Sequence, residues 1–397
     1  MYKLNIREVT YALSEALDFV GVDDLFHGKR VAYMSSEMCK QMNFSKEDID
    51  NIINIGMLHD CGVSNTDVHH SLVTQLDWHG SNQHCVKGAE LLNGVSIYKQ
   101  YSEIILYHHT HWSKLKELDI DEKTKLFANI ILITDRVDAL HAQSKSYEEI
   151  CKILDTQRSK MFKSELVDIF IKVSQPESFW FYQDVENLEM ILHEWIYKID
   201  EKEYSFEFLK EIALMFSNVV DAKSHFTSEH SKKVSLLCLY AAKKLNISKK
   251  NTEILELSAL LHDLGKLRVS DDILDKKGPL NKDERLIMDK HGFDSEMILR
   301  KVKGFKDIAF LASSHHEKLN GTGYPYQKEA SDLSVEARVL MICDVFQALA
   351  QNRPYRDSLS PDKIIFIMDK MVADGEIDKD ILELLKNNID EVYSIAQ

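Results

Sequence analysis

Glycine and proline are scarce in this chain, which has 14 Gly and 5 Pro in 397 residues. Together they make up about 5% of the residues, against roughly 12% in an average protein. Sandwiches, barrels and doubly wound sheets of this length need many turns that carry these residues. The scarcity therefore excludes those classes and predicts an all-α protein. The 44% hydrophobic content is enough for packed cores, and the length predicts two domains.

Cysteine pairs, long apolar runs and an excess of positive charge are also missing. The six cysteines include no Cys-x-x-Cys pair, which indicates reduced, mostly buried thiols rather than a disulfide framework. The chain has no signal-peptide core and no run near 18 uninterrupted apolar residues, so we expect a cytoplasmic protein without a membrane partner. A net charge of −15 would repel polymeric nucleic acid.

What the chain does have is an internal repeat of histidine and aspartate motifs. The order H, HD, H, HH, D occurs twice, and the offset between the copies drifts only from 203 to 209 residues. The first copy consists of His27, His59, Asp60, His84, His108, His109 and Asp135, and the second consists of His230, His262, Asp263, His291, His315, His316 and Asp344. The repeat predicts two tandem domains, which we place at residues 1–200 and 201–397.

The segments between these anchors have the apolar spacing of helices, as from Ile254 to Leu264. Gly62 and Gly265 follow the two His-Asp pairs, where a helix end favours a residue with positive φ. Imidazoles and carboxylates without thiolate are the ligands that Fe, Mn, Ni and Zn ions accept, and a binuclear centre needs a bridging carboxylate. We expect Asp263 to be that bridge.

Further motifs accompany the second ligand set. They are Lys266, Glu317 directly after the His pair, Gly323-Tyr324-Pro325, and Arg353-Pro-Tyr-Arg356. With the ligand set, over residues 205–397, they resemble the HD-GYP branch of the HD superfamily of metal-dependent phosphohydrolases, and the first copy has a weaker HD-like resemblance. The resemblance implies two tandem HD-type helical bundles. It also implies hydrolysis of the 3′–5′ phosphodiester of a bacterial cyclic dinucleotide second messenger to a linear dinucleotide. The tandem arrangement is similar to that of cGAMP-specific members from vibrios, but the motifs leave c-di-GMP and 3′3′-cGAMP both open.

The resemblance also implies a role for each residue of the second copy. One ion would be bound by His230, His262, Asp263 and Asp344, and the other by Asp263, His291, His315 and His316. Some family members hold a third ion through a Glu at the position of Phe226, so two divalent transition metals are expected here, with Fe or Mn favoured. Asp263 and Lys266 are the expected catalytic residues, and Lys266 would stabilise or protonate the leaving oxygen. The expected substrate-binding residues are Arg353 and Arg356, which would hold the second phosphate, together with Gly323, Tyr324 and Pro325.

The first copy keeps its seven ligands but lacks the substrate elements. Val63 stands at the position of Lys266, residues 110–116 replace the Gly-Tyr-Pro stretch, and Ser144 and Tyr147 replace the two arginines. Asp23, four residues before His27, is either an additional carboxylate or a helix cap. We expect a regulatory half that still binds metal. The alternatives for it are a scaffolding half, a second metal-dependent hydrolase of altered specificity and an oxygen-sensing or oxygen-using di-iron site.

For the whole chain, two other functions stay open. They are a non-hydrolytic cyclic-dinucleotide signalling scaffold and a di-iron oxygenase-like HD protein. A scaffold would be expected to lose ligands, and none is missing in either copy. An oxygenase would not need the Lys and Arg residues of the second copy. The sequence also leaves open a homodimer or a signalling protein partner.

Overall fold

The structure of this chain is a computed structural model that describes residues 1–21, 26–63, 65–78, 80–223, 229–352 and 358–397. Almost all regular structure in these ranges is helical, which confirms the predicted all-α class. The strands found there are β1 (Tyr2–Leu4) and β2 (Lys202–Tyr204), which pair with each other. Among the described residues, no helix is both long and apolar enough to span a membrane.

The chain divides into two compact units. The first unit is Asn5–Lys202, and the second combines Met1–Leu4 with Glu203–Gln397. The first four residues therefore belong with the second half of the chain, which the sequence did not indicate. Leu4 is 1% exposed and packs where the backbone of Gly304 comes close, since a Cβ on that glycine would lie 3.2 Å from Leu4 Cδ2.

The helices of each unit follow in chain order. Those of the first unit are α1 (Ile6–Asp18), α2 (His27–Gln41), α3 (Lys46–Leu58), α4 (Thr66–Thr74), α5 (Asn82–Asn93), α6 (Ser102–Tyr107), α7 (Trp112–Leu115), α8 (Glu122–Ala142), α9 (Tyr147–Thr156), α10 (Ser164–Ser174), α11 (Glu177–Phe181) and α12 (Val185–Ile196). Those of the second unit are α13 (Phe206–Lys223), α14 (His230–Lys244), α15 (Lys249–Leu261), α16 (Asp271–Leu274), α17 (Lys282–Asp289), α18 (His291–Leu299), α19 (Lys306–Ser313), α20 (Val335–Ala350), α21 (Pro361–Ala373), α22 (Lys379–Lys386) and α23 (Ile389–Ala396).

The two units repeat the same local signals. Ser45 caps α3 by accepting a hydrogen bond from the Asp48 amide, and Ser248 caps α15 by accepting one from the Asn251 amide. In the first unit α2 packs on α3 and α8, and in the second α14 packs on α15 and α20. The central helices α8 and α20 each contain a continuous run of buried residues, from Phe127 to Leu140 in α8 and from Val339 to Asp344 in α20. Each unit therefore encloses its own core, with one ligand aspartate on its central helix.

The glycines after the His-Asp pairs correct one expectation. Neither Gly62 nor Gly265 has a positive φ; the described glycines that do are Gly304, Gly321 and Gly375. The reason for glycine is the close approach of another backbone. A Cβ on Gly62 would lie 1.9 Å from the carbonyl oxygen of His84, and a Cβ on Gly265 would lie 2.1 Å from that of His291.

Candidate metal centres and catalytic cavity

The ends of helices place most ligand side chains of both units. In the second unit His230 begins α14, His262 and Asp263 follow α15, His291 begins α18, His315 and His316 follow α19, and Asp344 lies within α20. In the first unit His27 begins α2, His59 and Asp60 follow α3, His84 lies in the first turn of α5, His108 and His109 follow α6, and Asp135 lies within α8. The structure thus brings together all seven predicted ligands of each copy.

A left-handed backbone precedes the first ligand in both units. Phe26 has a φ of 77° and Glu229 a φ of 81°. A non-glycine residue in this region costs free energy and is found where a site requires it. The repeated conformation lies directly before α2 and α14, each of which begins with a ligand histidine, His27 or His230.

In the second cluster, the carboxylate of Asp263 faces two separate pairs of imidazoles. Its Oδ2 lies 3.6 Å from His230 Nε2 and 3.4 Å from His262 Nε2. Its Oδ1 lies 3.5 Å from His291 Nε2 and 3.7 Å from His315 Nε2. One carboxylate oxygen for each imidazole pair is the arrangement expected of a bridging ligand.

Asp344 closes the cluster from the central helix. Its Oδ1 lies 3.3 Å from His230 Nε2 and 3.8 Å from His262 Nε2. Its Oδ2 lies 3.9 Å from His316 Nδ1. Asp344 therefore sits beside the first imidazole pair and reaches towards His316.

Hydrogen bonds at Nδ1 orient the imidazoles of the second cluster. His262, His291 and His315 donate from Nδ1 to the carbonyl oxygens of the residues three positions earlier, at 2.7, 2.6 and 2.5 Å. His230 Nδ1 donates to Gln347 Oε1 at 2.6 Å. With the proton on Nδ1, each Nε2 offers a lone pair to the cluster, as a metal ligand must.

The buried donors of the second cluster fit metal ions. The Nε2 atoms of His291 and His315 lie 3.0 Å apart, and those of His230 and His262 lie 3.3 Å apart. Asp263 Oδ1 is buried and accepts no hydrogen bond from any described residue. Buried lone pairs and a carboxylate that converge in this way are costly unless a cation lies between them.

A lysine and a cavity adjoin the second cluster. Lys266 Nζ lies 2.5 Å from Asp263 Oδ2. Burial alone would raise the pKa of the Asp263 carboxyl, but His262 and Lys266 hold it well below its usual range. The cavity has a volume of about 930 Å³. Its polar end is formed by Asp263, Lys266, His291, His316, Tyr324 and Asp344, and its walls continue over apolar side chains such as Ile273, Leu280 and Leu349.

The predicted Gly-Tyr-Pro stretch forms a tight turn at this cavity. A Cβ on Gly323 would lie 2.4 Å from Glu317 Cα. The buried carboxylate of Glu317 accepts hydrogen bonds from the amides of Tyr326 and Lys328 at 2.7 and 2.9 Å. The Tyr324 ring lies 4.8 Å from the His316 ring. The turn therefore holds Tyr324 against a ligand histidine.

Several predicted residues lie outside the described residues. They are Arg353, Arg356, Phe226 and Asp23.

Two residues that adjoin the candidate site of the second unit were missed by the sequence reasoning. Gln347 orients His230, and its signal was its position one helical turn after Asp344 on α20. Lys223, at the end of α13, lines the cavity and is 3% exposed. Its Nζ lies 3.4 Å from Asp271 Oδ1 but donates no hydrogen bond to any residue that the structure describes. No motif marks it.

The first cluster repeats the geometry of the second. The Nε2 atoms of His27 and His59 lie 3.2 Å apart, as do those of His84 and His108. Asp60 places Oδ2 3.6 Å from His59 Nε2 and Oδ1 3.4 Å from His84 Nε2. The pocket beside this cluster, however, has a volume of about 20 Å³. The donors of a metal centre are therefore present, but this pocket has no room for a nucleotide.

Comparisons with known proteins agree with this geometry. Two family profiles, both described as HD domain, match residues 25–142 and 214–381. The 3′3′-cGAMP-specific phosphodiesterase 1 of Vibrio cholerae is 34% identical over 406 residues, which cover 100% of this chain and 94% of that protein. The cyclic di-GMP phosphodiesterase response regulator RpfG of Xanthomonas campestris pv. campestris is 30% identical over 155 residues, or 38% of this chain and 41% of that protein. A crystal structure of a cyclic GMP-AMP specific phosphodiesterase of V. cholerae has the same fold, with a TM-score of 0.67 over 98% of both chains at 22% identity.

Proposed function

The chain belongs to the HD-domain family of cyclic-dinucleotide phosphodiesterases, and from that membership we propose that its second unit hydrolyses 3′3′-cGAMP to a linear dinucleotide. The relative that matches this chain from end to end is named for 3′3′-cGAMP. The Xanthomonas relative, which is named for cyclic di-GMP, matches 38% of the chain. Cyclic di-GMP is therefore the second candidate substrate.

The observation that carries the assignment to the second unit is the cavity. Pockets of about 300–1,000 Å³ accommodate drug-sized ligands, and the second cluster opens on one of about 930 Å³. The pocket beside the first cluster is smaller by more than an order of magnitude. Within the described residues, the cavity that could admit a cyclic dinucleotide adjoins the second cluster.

Two divalent ions fit the second cluster. His230, His262 and Asp344 would hold one, His291, His315 and His316 the other, and Asp263 would bridge them. Fe or Mn is proposed because the donors are imidazoles and carboxylates without thiolate. Such ions, when bound, polarise phosphate oxygens and lower the pKa of a bound water.

The side chains around the cluster would orient the substrate. Lys266, whose ammonium lies beside Asp263, is proposed to stabilise the developing charge or to give a proton to the leaving 3′ oxygen. Tyr324 is proposed to position a base. Arg353 and Arg356 are proposed to hold the second phosphate, with Lys223 as a further cation on the cavity wall.

The first unit is proposed to be a regulatory half that keeps a metal centre. Its ligands converge as in the second unit, but Val63 stands at the position of Lys266 and the described pocket beside the cluster has a volume of about 20 Å³. Regulation would then act through the metal-bound state of this unit rather than through turnover.

Paired substitutions test which unit is catalytic. The double variant His262→Ala with Asp263→Ala is expected to abolish hydrolysis, and His59→Ala with Asp60→Ala is expected to retain much of it. The assay incubates each protein with 3′3′-cGAMP or c-di-GMP and Mn²⁺ or Fe²⁺ under reducing conditions, and identifies the linear product by chromatography. If the second double variant is the inactive one, the assignment of the units is reversed. If c-di-GMP is hydrolysed much faster than 3′3′-cGAMP, the substrate proposal is wrong.

A further inference from the structure

The first unit places an arginine against its ligand cluster where the second unit has a valine. Arg136 follows the ligand Asp135 on α8, and Val345 follows Asp344 on α20. Arg136 is 2% exposed, although arginine is almost never fully buried unless it is paired. Its guanidinium is therefore a built part of the first cluster.

Four hydrogen bonds hold this guanidinium in place. Nη2 and Nε donate to Asp135 Oδ2 at 2.8 and 3.2 Å. Nη1 donates to the carbonyl oxygens of Leu72 and Gln75 at 2.8 and 2.7 Å. One oxygen of Asp135 is thus committed to the arginine, while Oδ1 lies 3.5 Å from His27 Nε2. Asp135 Oδ2 also lies 3.6 Å from His109 Nε2. In the second unit the matching oxygen, Asp344 Oδ2, faces His316 Nδ1 at 3.9 Å, and Val345 stands where the first unit has the arginine.

A fixed positive charge at this position acts most directly on the half of the cluster that contains Asp135. The donors fall into two sets, His27 with His59 and Asp135, and Asp60 with His84, His108 and His109. An ion in the first set would share Asp135 with the guanidinium, and the two positive charges would repel each other. No residue of the second set forms a hydrogen bond with Arg136, and the set approaches the guanidinium only at His109, whose Nε2 lies 3.6 Å from Asp135 Oδ2.

The second set also shows its own need for a cation. His109 Nε2 and Asp60 Oδ1 are buried, and neither forms a hydrogen bond within the part of the chain that the structure describes. Asp60 Oδ1 lies 3.4 Å from His84 Nε2 and 3.8 Å from His108 Nε2. Unpaired lone pairs that converge in this way favour a bound ion.

Arg136 also occupies space that is open in the second unit. Val345 is part of the wall of the large cavity. At the same position of the repeat, the longer arginine side chain runs inward to the carbonyls at the end of α4. The same residue thus adds a charge to the first cluster and ties α8 to the end of α4.

We infer that the Arg136 guanidinium takes the place of one metal ion in the first cluster, so that the first unit holds a single ion. That ion is held by Asp60, His84, His108 and His109. The inference rests on the proposed metal centres of both units, and it makes the first unit different from the second in stoichiometry as well as in access.

Metal content of the full chain tests the inference without reference to activity. The protein is loaded with Mn²⁺, freed of excess metal by gel filtration and analysed by inductively coupled plasma mass spectrometry. We expect about three ions per chain in the unaltered protein and about one in the His262→Ala, Asp263→Ala double variant. Adding Arg136→Met to that double variant removes the charge but keeps a long side chain, and should raise the content to about two.

Two further variants separate charge from shape. Arg136→Lys keeps a cation and should leave the content unchanged, whereas Val345→Arg brings the arginine into the second unit and should remove about one ion from the otherwise unaltered chain. Thermal melts establish that each variant is folded. If Arg136→Met does not fold, Val345→Arg carries the test.

Different results overturn different statements. A first unit that already holds two ions, or a folded Arg136→Met protein that gains none, overturns the role of Arg136. A Val345→Arg protein that loses no ion does the same. If His59→Ala with Asp60→Ala leaves the metal content unchanged, the proposed metal centre of the first unit is absent. In that case the assignment of hydrolysis to the second unit still stands.

Discussion

Replacing Gly265 by alanine should reduce hydrolysis by displacing the metal ligand His291 through its backbone. The alanine Cβ would lie 2.1 Å from the carbonyl oxygen of His291 and 2.9 Å from the amide nitrogen of Ser295. The Gly265 amide also donates to Ser295 Oγ, which donates in turn to the carbonyl of His262. Gly265 therefore contacts both the segment that carries His262 and the segment that carries His291.

The size of the effect follows from these distances. Ordinary contacts of a Cβ begin at 3.4 Å, so the two backbones must separate by about 1 Å. A misplacement of about 1 Å at a reacting centre can cost on the order of 10²-fold in rate. Overpacking of this kind also costs about 1–3 kcal/mol of stability. We expect kcat/KM to fall by about 100-fold in a protein that is still folded.

The repeat supplies a matched control in Gly62→Ala. Its Cβ would lie 1.9 Å from the carbonyl oxygen of His84, so the same clash arises in the first unit. Steady-state hydrolysis of 3′3′-cGAMP at saturating metal and urea unfolding are measured for both variants. Gly62→Ala should lose stability but little activity. If Gly265→Ala keeps the kcat/KM and the stability of the unaltered protein, the backbones of Gly265 and His291 do not lie as close as described. If both variants lose activity equally, the loss does not arise from a displaced ligand in the second unit.

Four other outcomes can be checked with the same protein. Gln347→Leu removes the acceptor of His230 Nδ1 and should weaken metal binding by the second cluster about 10–100-fold; unchanged affinity in a metal titration would contradict this orientation. Glu317→Gln leaves one carbonyl oxygen for two backbone amides, so the turn that holds Tyr324 should loosen. We expect a higher KM and a loss of about 1.5–3 kcal/mol in the free energy of unfolding. A change in kcat alone would contradict this role of Glu317. If the buried ammonium of Lys223 binds a substrate phosphate, Lys223→Met should raise KM at least about tenfold. Lys29→Met removes a similarly buried lysine of the first unit and should leave KM unchanged. Chelation of the metals should abolish hydrolysis and lower the midpoint temperature of thermal unfolding. An unchanged midpoint would mean that the ions do not stabilise the folded protein.

The ligand clusters could be predicted from the sequence because their residue types recur in one order in two copies. Imidazole and carboxylate groups have few reasons to recur in this way except a shared metal centre. The helical class followed from the same local information, since apolar spacing and serine caps such as Ser45 and Ser248 depend on residues a few positions apart.

What the sequence could not indicate depends on contacts between distant residues. His27 Nδ1 bonds to Asp138 at 2.7 Å across 111 residues of chain, and no local pattern reports such a contact. The need for glycine at position 265 arises from a neighbouring backbone, so φ was the wrong explanation. Arg136 looks like an ordinary surface residue in the sequence, and only its burial against Asp135 marks it as part of the site.

The pairing of β1 with β2 makes the first unit an insertion within the second. The chain enters the first unit directly after one strand and leaves it through the other, and Asn5 Nδ2 bonds to the carbonyl of Ile196 at 2.9 Å, which joins the two ends. A chain cut at Glu203 would lose β1 and leave the site of Leu4 empty. Modules whose ends lie close together can be removed or exchanged. The smallest self-sufficient hydrolase should therefore be obtained by joining residues 1–4 to residues 203–397 through a short linker, and not by truncation.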